Sequence, residues 1–408
     1  MPPDIGPCEM TKTHSLPQGF LAAGTHSGLK ADDDKNDLSL FVSKIPCVAA
    51  GVFTQNRVCG APVKLSRNRV PSSSVRAVII NSGNANACTG ERGDRDALSM
   101  TENTADVLDC NADDILVCST GVIGQFLPME NIEMGLPHLK AALSHESSAF
   151  LQAAQGMMTT DTFPKLASRR IDIGKTTMTI SGAAKGAAMI APNMATMLAI
   201  VMTDVVLDET SADAMLRDAV NRSFNCISVE GHTSTSDSVI LLANGASGVN
   251  LSTESDREQF QQALNDLCIE LAQAIIRDAE GADHFIEITV EGARNNEEAR
   301  RLGKTVADSP LVKTAITGAD PNWGRIVSAL GYADVELAEE DISLTINETE
   351  IYKKGVPVPF DAAKLSANMN SNRDVSLAIH LTHGTANCQF WTCDLTAEYI
   401  RLNSEYTT

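Results

Sequence analysis

Short apolar runs alternate with helical patterns along almost the whole chain, and neither a repeat nor a low-complexity linker interrupts them. "VRAVII" (75–80) reads as a buried strand running into a polar turn, "NSGNANACTG". "DDILVCSTGVIG" (113–124) repeats the design, a strand that ends in Ser119-Thr120-Gly121. "TTMTI" (176–180) and "MLAIVMTDVVL" (197–207) predict two more strands, one on each side of "KGAAMIAPNMAT". Short unbroken apolar runs bounded by turn residues are what strands buried on both faces require. "ESSAFLQAAQGMM" (146–158) predicts a helix, followed by the polar turn "TTDTFPK". The clearest helix starts near Ser255, where Ser255 and Glu258 have the spacing of a capping box. Phe260, Leu264, Leu267, Leu271 and Ile275 then recur every three or four residues on one face, and the helix is expected to end near Glu280-Gly281. Strands and amphipathic helices mixed in this way predict α/β layers, with helices covering sheets.

Composition narrows the class. At 408 residues and 43% apolar content the chain can bury a large core, enough for roughly two to three domain-sized units. Its formal charge of −20 is spread along the sequence. Such a surface repels phosphate backbones and anionic lipid, so neither nucleic acid nor membrane is expected as a partner. The sequence from Met1 has no basic region followed by an apolar segment, and no apolar run approaches the roughly 20 residues needed to span a bilayer. Ten cysteines are scattered from Cys8 to Cys393, without a C-x-x-C pair or a zinc-like Cys/His spacing. Cys118 and Cys226 sit in apolar contexts and read as small core residues. A reduced, cytoplasmic location is the expectation.

The candidate chemistry lies at "KGAAMIAPNMATML" (185–198), where Thr196 opens an apolar run after a loop of small residues. One reading is a loop leading into a core strand. The other is that the bond between Ala195 and Thr196 is cut and Thr196 becomes an N-terminal nucleophile. A threonine hydroxyl needs a base, and a free α-amine, with an ordinary pKa of roughly 7.7–8.0, is better matched to neutral pH than lysine at about 10.4. That amine exists only after the cut. Thr120 and Gly121, at the end of a strand, offer a hydroxyl and a backbone N–H for an oxyanion hole, although Ser-Thr-Gly is also ordinary turn chemistry. The sequence carries neither a P-loop nor a dinucleotide-binding fingerprint.

These blocks resemble, in order, those of the ornithine acetyltransferase family, the ArgJ enzymes of arginine biosynthesis. Beside 185–198 they are "INSGNANACTG" (80–90), "STGVIG" (119–124), "GMMTTDTFPK" (156–165), "SFNCISVEGHTSTSD" (223–237), "SPLVKTAITGADPNWGR" (309–325) and "CDLTAEYIRLNSEYTT" (393–408). The resemblance implies a layered α/β fold of the ArgJ/DmpA-like, self-cleaved N-terminal-nucleophile type, with sheets packed between helices. It implies an α chain (1–195) and a β chain (196–408), two of each in the assembly. Thr196 matches the nucleophile, and Thr120 and Gly121 the oxyanion hole. Thr162, Lys185, Thr196, Glu280, Asn403 and Thr408 match substrate-binding positions. The implied reaction moves an acetyl group from N-acetylornithine to glutamate without metal or organic cofactor, and some family members also accept acetyl-CoA as donor.

Three positions depart from the family pattern. Ala188 stands where glycine is expected and is expected to stiffen the loop to be cut. Glu230 and His232 stand where aspartates are commoner, and His232 reads as a local hydrogen-bonding residue rather than a base. Other readings of the residues are Thr162 as a turn cap, Lys185 as a solvated loop cation, and residues 403–408 as a frayed tail. Glu280, read as a helix end, would be unfavourable against the dipole. The rival functions are an N-terminal-nucleophile amidase or peptidase, a paralogue with another acceptor, and an uncut binding protein on the same scaffold.

Overall fold

The structure is a computed structural model that describes residues 14–191 and 197–405. Ala195, Thr196 and Thr408 therefore lie outside the described residues. Fifteen strands, numbered along the chain, form two sheets among the described residues. The first contains β1 (Phe20–Thr25), β2 (Leu38–Phe53), β3 (Ser72–Asn84), β4 (Ile115–Val122), β5 (Lys165–Ile173), β6 (Thr176–Lys185), β7 (Leu198–Thr203) and, after β8 (Ile227–Ser228) of the second sheet, β9 (Ser238–Ala243). Its order is β4-β3-β2-β9-β7-β6-β5, with β1 paired to β2. The second sheet adds β10 (Phe285–Ala293), β11 (Ser343–Ile346), β12 (Thr349–Lys353), β13 (Val356–Pro357), β14 (Asp374–His380) and β15 (Ala386–Cys393), in the order β13-β12-β11-β14-β10-β15-β8.

The central strands β7 and β9 show why their sequences are unbroken apolar runs. In β9, Val239 and Leu241 join one buried cluster while Ile240 and Leu242 join another. In β7, Ala199 and Val201 face the first cluster, and Leu198, Ile200 and Met202 the second. Alternate side chains leave opposite faces of a strand, so a sheet covered on both sides needs apolar residues at every position. The helices Glu209–Arg222 and Glu254–Arg277 cover one face and share their core with Ile286, Ile288, Phe390 and Trp391 of the second sheet. The helix Ser147–Met157 covers the other face with Phe150, Ala153 and Met157. The layered α/β expectation holds.

Several boundaries differ from those read in the sequence. The polar stretch after residue 80 continues as strand to Asn84, because its backbone pairs in parallel with β4, Ser82 opposite Thr120 and Gly83 opposite Gly121. The long helix begins at Glu254, with Thr253 as N-cap and Asp256 completing the capping box, two residues before the Ser255/Glu258 pair. It ends at Arg277, so Glu280 lies beyond its last turn rather than at its end. Lys185 is the last residue of β6 and is buried, not a solvated loop cation.

Candidate active site

The site forms where β4 and β6 end beside the start of β7. Lys185 pairs with Leu198 across antiparallel β6 and β7, so the two ends of the segment between them lie side by side. Gly121, the penultimate residue of β4, has φ +134°, and a Cβ there would meet the Gly83 carbonyl carbon at 2.3 Å. Glycine is required for both reasons. Below it the polar residues of "NSGNAN" form a buried network. Ser119 Oγ donates to Asn81 Oδ1 (2.5 Å), Asn81 Nδ2 donates to the Asn84 carbonyl (2.9 Å), and Asn84 Nδ2 reaches the carbonyls of Gln125 and Phe126 (both 3.2 Å). Buried amides satisfied in this way fix the end of β4 rather than mark a solvated turn.

Thr120, Gly121, Lys185, Glu280 and Asn403 line one cleft of about 190 Å³, together with Thr159, Ala188, Met189, Glu230, His232 and Tyr399. Five positions singled out in the sequence thus come together from four distant parts of the chain. The Lys185 ammonium donates to Thr159 Oγ1 at 2.8 Å and to Thr120 Oγ1 at 3.3 Å. Burial pushes this ammonium below the usual lysine range; Asp161 opposes the shift and Lys165 adds to it. A Thr120 oxygen that accepts from Lys185 keeps its own proton for another acceptor.

Thr162 does not line the cleft. Its N–H (2.9 Å) and hydroxyl both donate to Asp278, which with Asp161 flanks the buried Lys165 ammonium, each at 2.6 Å. Burial works against the Asp161 charge, but Lys165, Lys185 and the Gly186 N–H outweigh it and hold the carboxyl far below the usual carboxylate range. This triad ties the "TTDTFPK" loop to the end of the helix Glu254–Arg277. Removing one member leaves uncompensated buried charge. Lys165→Met is therefore expected to lower unfolding stability by about 3–5 kcal/mol, read as a fall in the urea midpoint; a loss under about 1 kcal/mol would mean the triad is solvated.

At the far wall the C-terminal helix Ala397–Glu405 docks on the turn that carries Glu280. Thr396 Oγ1 donates to the Gly281 carbonyl (2.5 Å), and Asn403 Nδ2 donates to Glu280 Oε2 (3.2 Å). A Cβ on Gly281, itself at φ +66°, would strike Tyr399 N at 2.5 Å. The helix is thus docked through Thr396, Tyr399 and Asn403, so Asn403 at least is not part of a frayed tail. Next to residues 192–196, the Met197 N–H donates to Asp237 Oδ1 at 3.0 Å. Burial pushes the Asp237 carboxyl well above its usual value, against the Met197 N–H, Thr54 and Lys185. Asp237, Glu230 and the Asp161–Lys165 pair stand inside quoted sequence blocks but were not singled out for this role. His232 lies exposed at the rim. Ala188 has no positive φ, whereas Gly186 and Met189 do, so alanine is accommodated at this position without left-handed strain. Cys118 is buried, which pushes its thiol up to about 12, and Cys226 is buried too; both are core residues. Among the described residues no group of three or more His, Cys, Asp or Glu side chains is placed to hold a metal ion, and no helix is long and apolar enough to cross a membrane.

A family model described as the ArgJ family matches residues 21–408. The chain is 44% identical over 401 residues to the arginine biosynthesis bifunctional protein ArgJ of Rhodopirellula baltica, covering 98% of both chains. It is 43% identical to the protein of that name from Symbiobacterium thermophilum, covering 97% of this chain and 98% of the relative. The crystal structure of the arginine biosynthesis bifunctional protein ArgJ of Bacillus halodurans aligns with 38% identity and a TM-score of 0.49, over 51% of this chain and 98% of that one.

Proposed function

The chain belongs to the ArgJ family, the acetyltransferases of arginine biosynthesis, and on that footing we propose that it moves an acetyl group from N-acetylornithine to glutamate through an acyl-threonine at Thr196. The chain cuts itself between Ala195 and Thr196 into an α chain (1–195) and a β chain (196–408). Two of each assemble in the cytoplasm. The observation that carries this reading is the single cleft in which Thr120, Gly121 and Lys185 of the first segment face Glu280 and Asn403 of the second.

The freed α-amine of Thr196 takes the hydroxyl proton as the oxygen attacks the acetyl carbonyl carbon. The Thr120 hydroxyl and the Gly121 N–H bind the developing oxyanion, and the adjacent Lys185 ammonium polarises that hydroxyl. The C–N bond breaks, the departing nitrogen receives the proton, and ornithine leaves the acetyl as an ester on Thr196. The glutamate amine attacks this ester, its proton returns to the threonine oxygen by way of the α-amine, and N-acetylglutamate departs. Glu280 and Asn403 hold the polar amino-acid end of either substrate, with Thr408 as a further binding position, while Thr162, bonded to Asp278 outside the cleft, acts on the site only through that contact. Acetyl-CoA can enter the first half-reaction as an alternative donor.

Steady-state kinetics test this. N-Acetylornithine alone is expected to release about one equivalent of ornithine per site, with turnover restored by glutamate and parallel lines in double-reciprocal plots. Sustained turnover without an amine acceptor would establish the amidase reading instead.

The docked helix Ala397–Glu405 gives a separate expectation. Deleting residues 404–408 removes the end of the wall that carries Asn403. The deletion removes Thr408 and leaves Asn403 at a truncated helix end; loss of the hydrogen bonds these two residues would give the substrate, at roughly 0.5–1.5 kcal/mol each or more to a charged group, is expected to weaken binding by about ten- to a hundredfold. Cleavage at Thr196 survives the deletion. An unchanged KM for both substrates would show that these residues do not bind them.

A further inference from the structure

The segment that leads toward the proposed cut is fixed at four points between Gly186 and Ile190. The Gly186 N–H donates to Asp161 Oδ1 at 2.6 Å, and the Met189 N–H to Glu230 Oε2 at 3.1 Å. The Ala187 carbonyl accepts from the Glu280 N–H at 3.0 Å, and the Ile190 carbonyl from the Val229 N–H at 2.7 Å. Inside this clamp Met189 has φ +59°, a conformation that Cβ crowding disfavours roughly tenfold or more for a side-chain-bearing residue. Something must hold it there, and its own N–H is held by Glu230. That carboxyl lines the cleft, yet its other oxygen, Oε1, is buried without a hydrogen-bond partner.

We propose that Glu230 is a positioning residue for self-cleavage, which holds Met189 left-handed and so sets the direction in which the described chain leaves Gly186–Ile190 ahead of the Ala195–Thr196 bond. The inference rests on the reading in which the chain cuts itself. In that step the Thr196 hydroxyl oxygen attacks the Ala195 carbonyl carbon and the C–N bond breaks as the Thr196 nitrogen takes the hydroxyl proton. Water then hydrolyses the resulting ester to leave the Ala195 carboxylate and free Thr196. Glu230 supplies neither proton nor electrons; it supplies an acceptor. Burial pushes its carboxyl up to about 8, against the N–H groups of Ile190, Met189 and His232; the Met189 N–H needs only an acceptor oxygen, which the amide of glutamine also offers.

The test follows the decay of freshly translated full-length precursor on denaturing gels. Glu230→Gln is expected to be cut within about threefold of the wild-type rate and Glu230→Ala about tenfold more slowly. Met189→Gly removes the Cβ crowding, so Met189→Gly with Glu230→Ala is expected within about threefold of Met189→Gly alone. A merely structural loss would not be rescued by that glycine. Melting of each variant in an uncut Thr196→Ala background separates misfolding from slow cutting; if Glu230→Ala does not fold, the Glu230→Gln rate and the rescue by Met189→Gly decide. Glu230→Ala cut as fast as wild type, Glu230→Gln as slow as alanine, or a double variant no faster than Glu230→Ala overturns the proposal. A wild-type chain that stays intact overturns instead the cleavage reading on which it rests.

Discussion

Replacing Thr196 with alanine is expected to leave residues 1–408 as one uncut chain with no measurable acetyl transfer. The same hydroxyl is asked to do two jobs. It first attacks the bond on its own N-terminal side, and then, with the amine so released, attacks the acetyl donor. Alanine removes the attacking atom from both. Loss of a nucleophile that works as a unit with its base costs on the order of 10⁴–10⁶ in kcat. Thr196→Ser is the informative companion, since it keeps an oxygen and the amine; it is expected to be cut and to retain part of the activity. A Thr196→Ala chain still cut at that bond would mean that another group performs the cleavage. Serine protein as inactive as alanine protein would mean that the threonine methyl group, and not only the hydroxyl, is required.

Thr120→Ala is expected to be cut normally, to bind N-acetylornithine nearly as well as the parent, and to turn over about 10²–10³ more slowly. Thr120 is buried beneath the cleft and its oxygen accepts from Lys185, so its hydroxyl proton is presented with little freedom to reorient. Such a donor acts mainly on charge that develops in the transition state, which separates its effect on kcat from any on KM. Removing one oxyanion donor corresponds to about 3–4 kcal/mol of transition-state stabilisation. The alanine also leaves Lys185 with Thr159 as its remaining hydroxyl partner of the two. Single-turnover acetylation of the β chain reads the effect directly; a rate within a few-fold of the parent would place the oxyanion hole elsewhere.

Much of the architecture was legible because burial leaves a pattern in one dimension. The alternating faces of β7 and the apolar stripe of the helix Glu254–Arg277 required no knowledge of what they pack against. The capping box was displaced because Thr253/Asp256 and Ser255/Glu258 share one spacing, and only the backbone decides between them. β2 was not read because "KIPCV" puts a proline in mid-strand; the pairing with β3 shifts register between Val42 and Cys47, and the strand is exposed there. "NSGN" looked like turn chemistry, yet its amides are satisfied by partners that the parallel pairing with β4 supplies. The site divides in the same way. Thr120, Gly121 and Lys185 stand at strand ends and could be found from local pattern together with the family resemblance. The Lys165–Asp278 pair joins residues 113 positions apart, and Glu230 reaches Met189 across 41. No local spacing encodes contacts of that kind.

The central claim, that Thr196 becomes an N-terminal nucleophile and carries the acetyl group, is tested most directly by intact-mass measurement of the denatured protein before and after exposure to N-acetylornithine alone. The account predicts two masses, those of residues 1–195 and 196–408, and the gain of one acetyl group by the second alone, removed again on adding glutamate. A single mass for residues 1–408, or an acetyl group found on the first fragment, would contradict it.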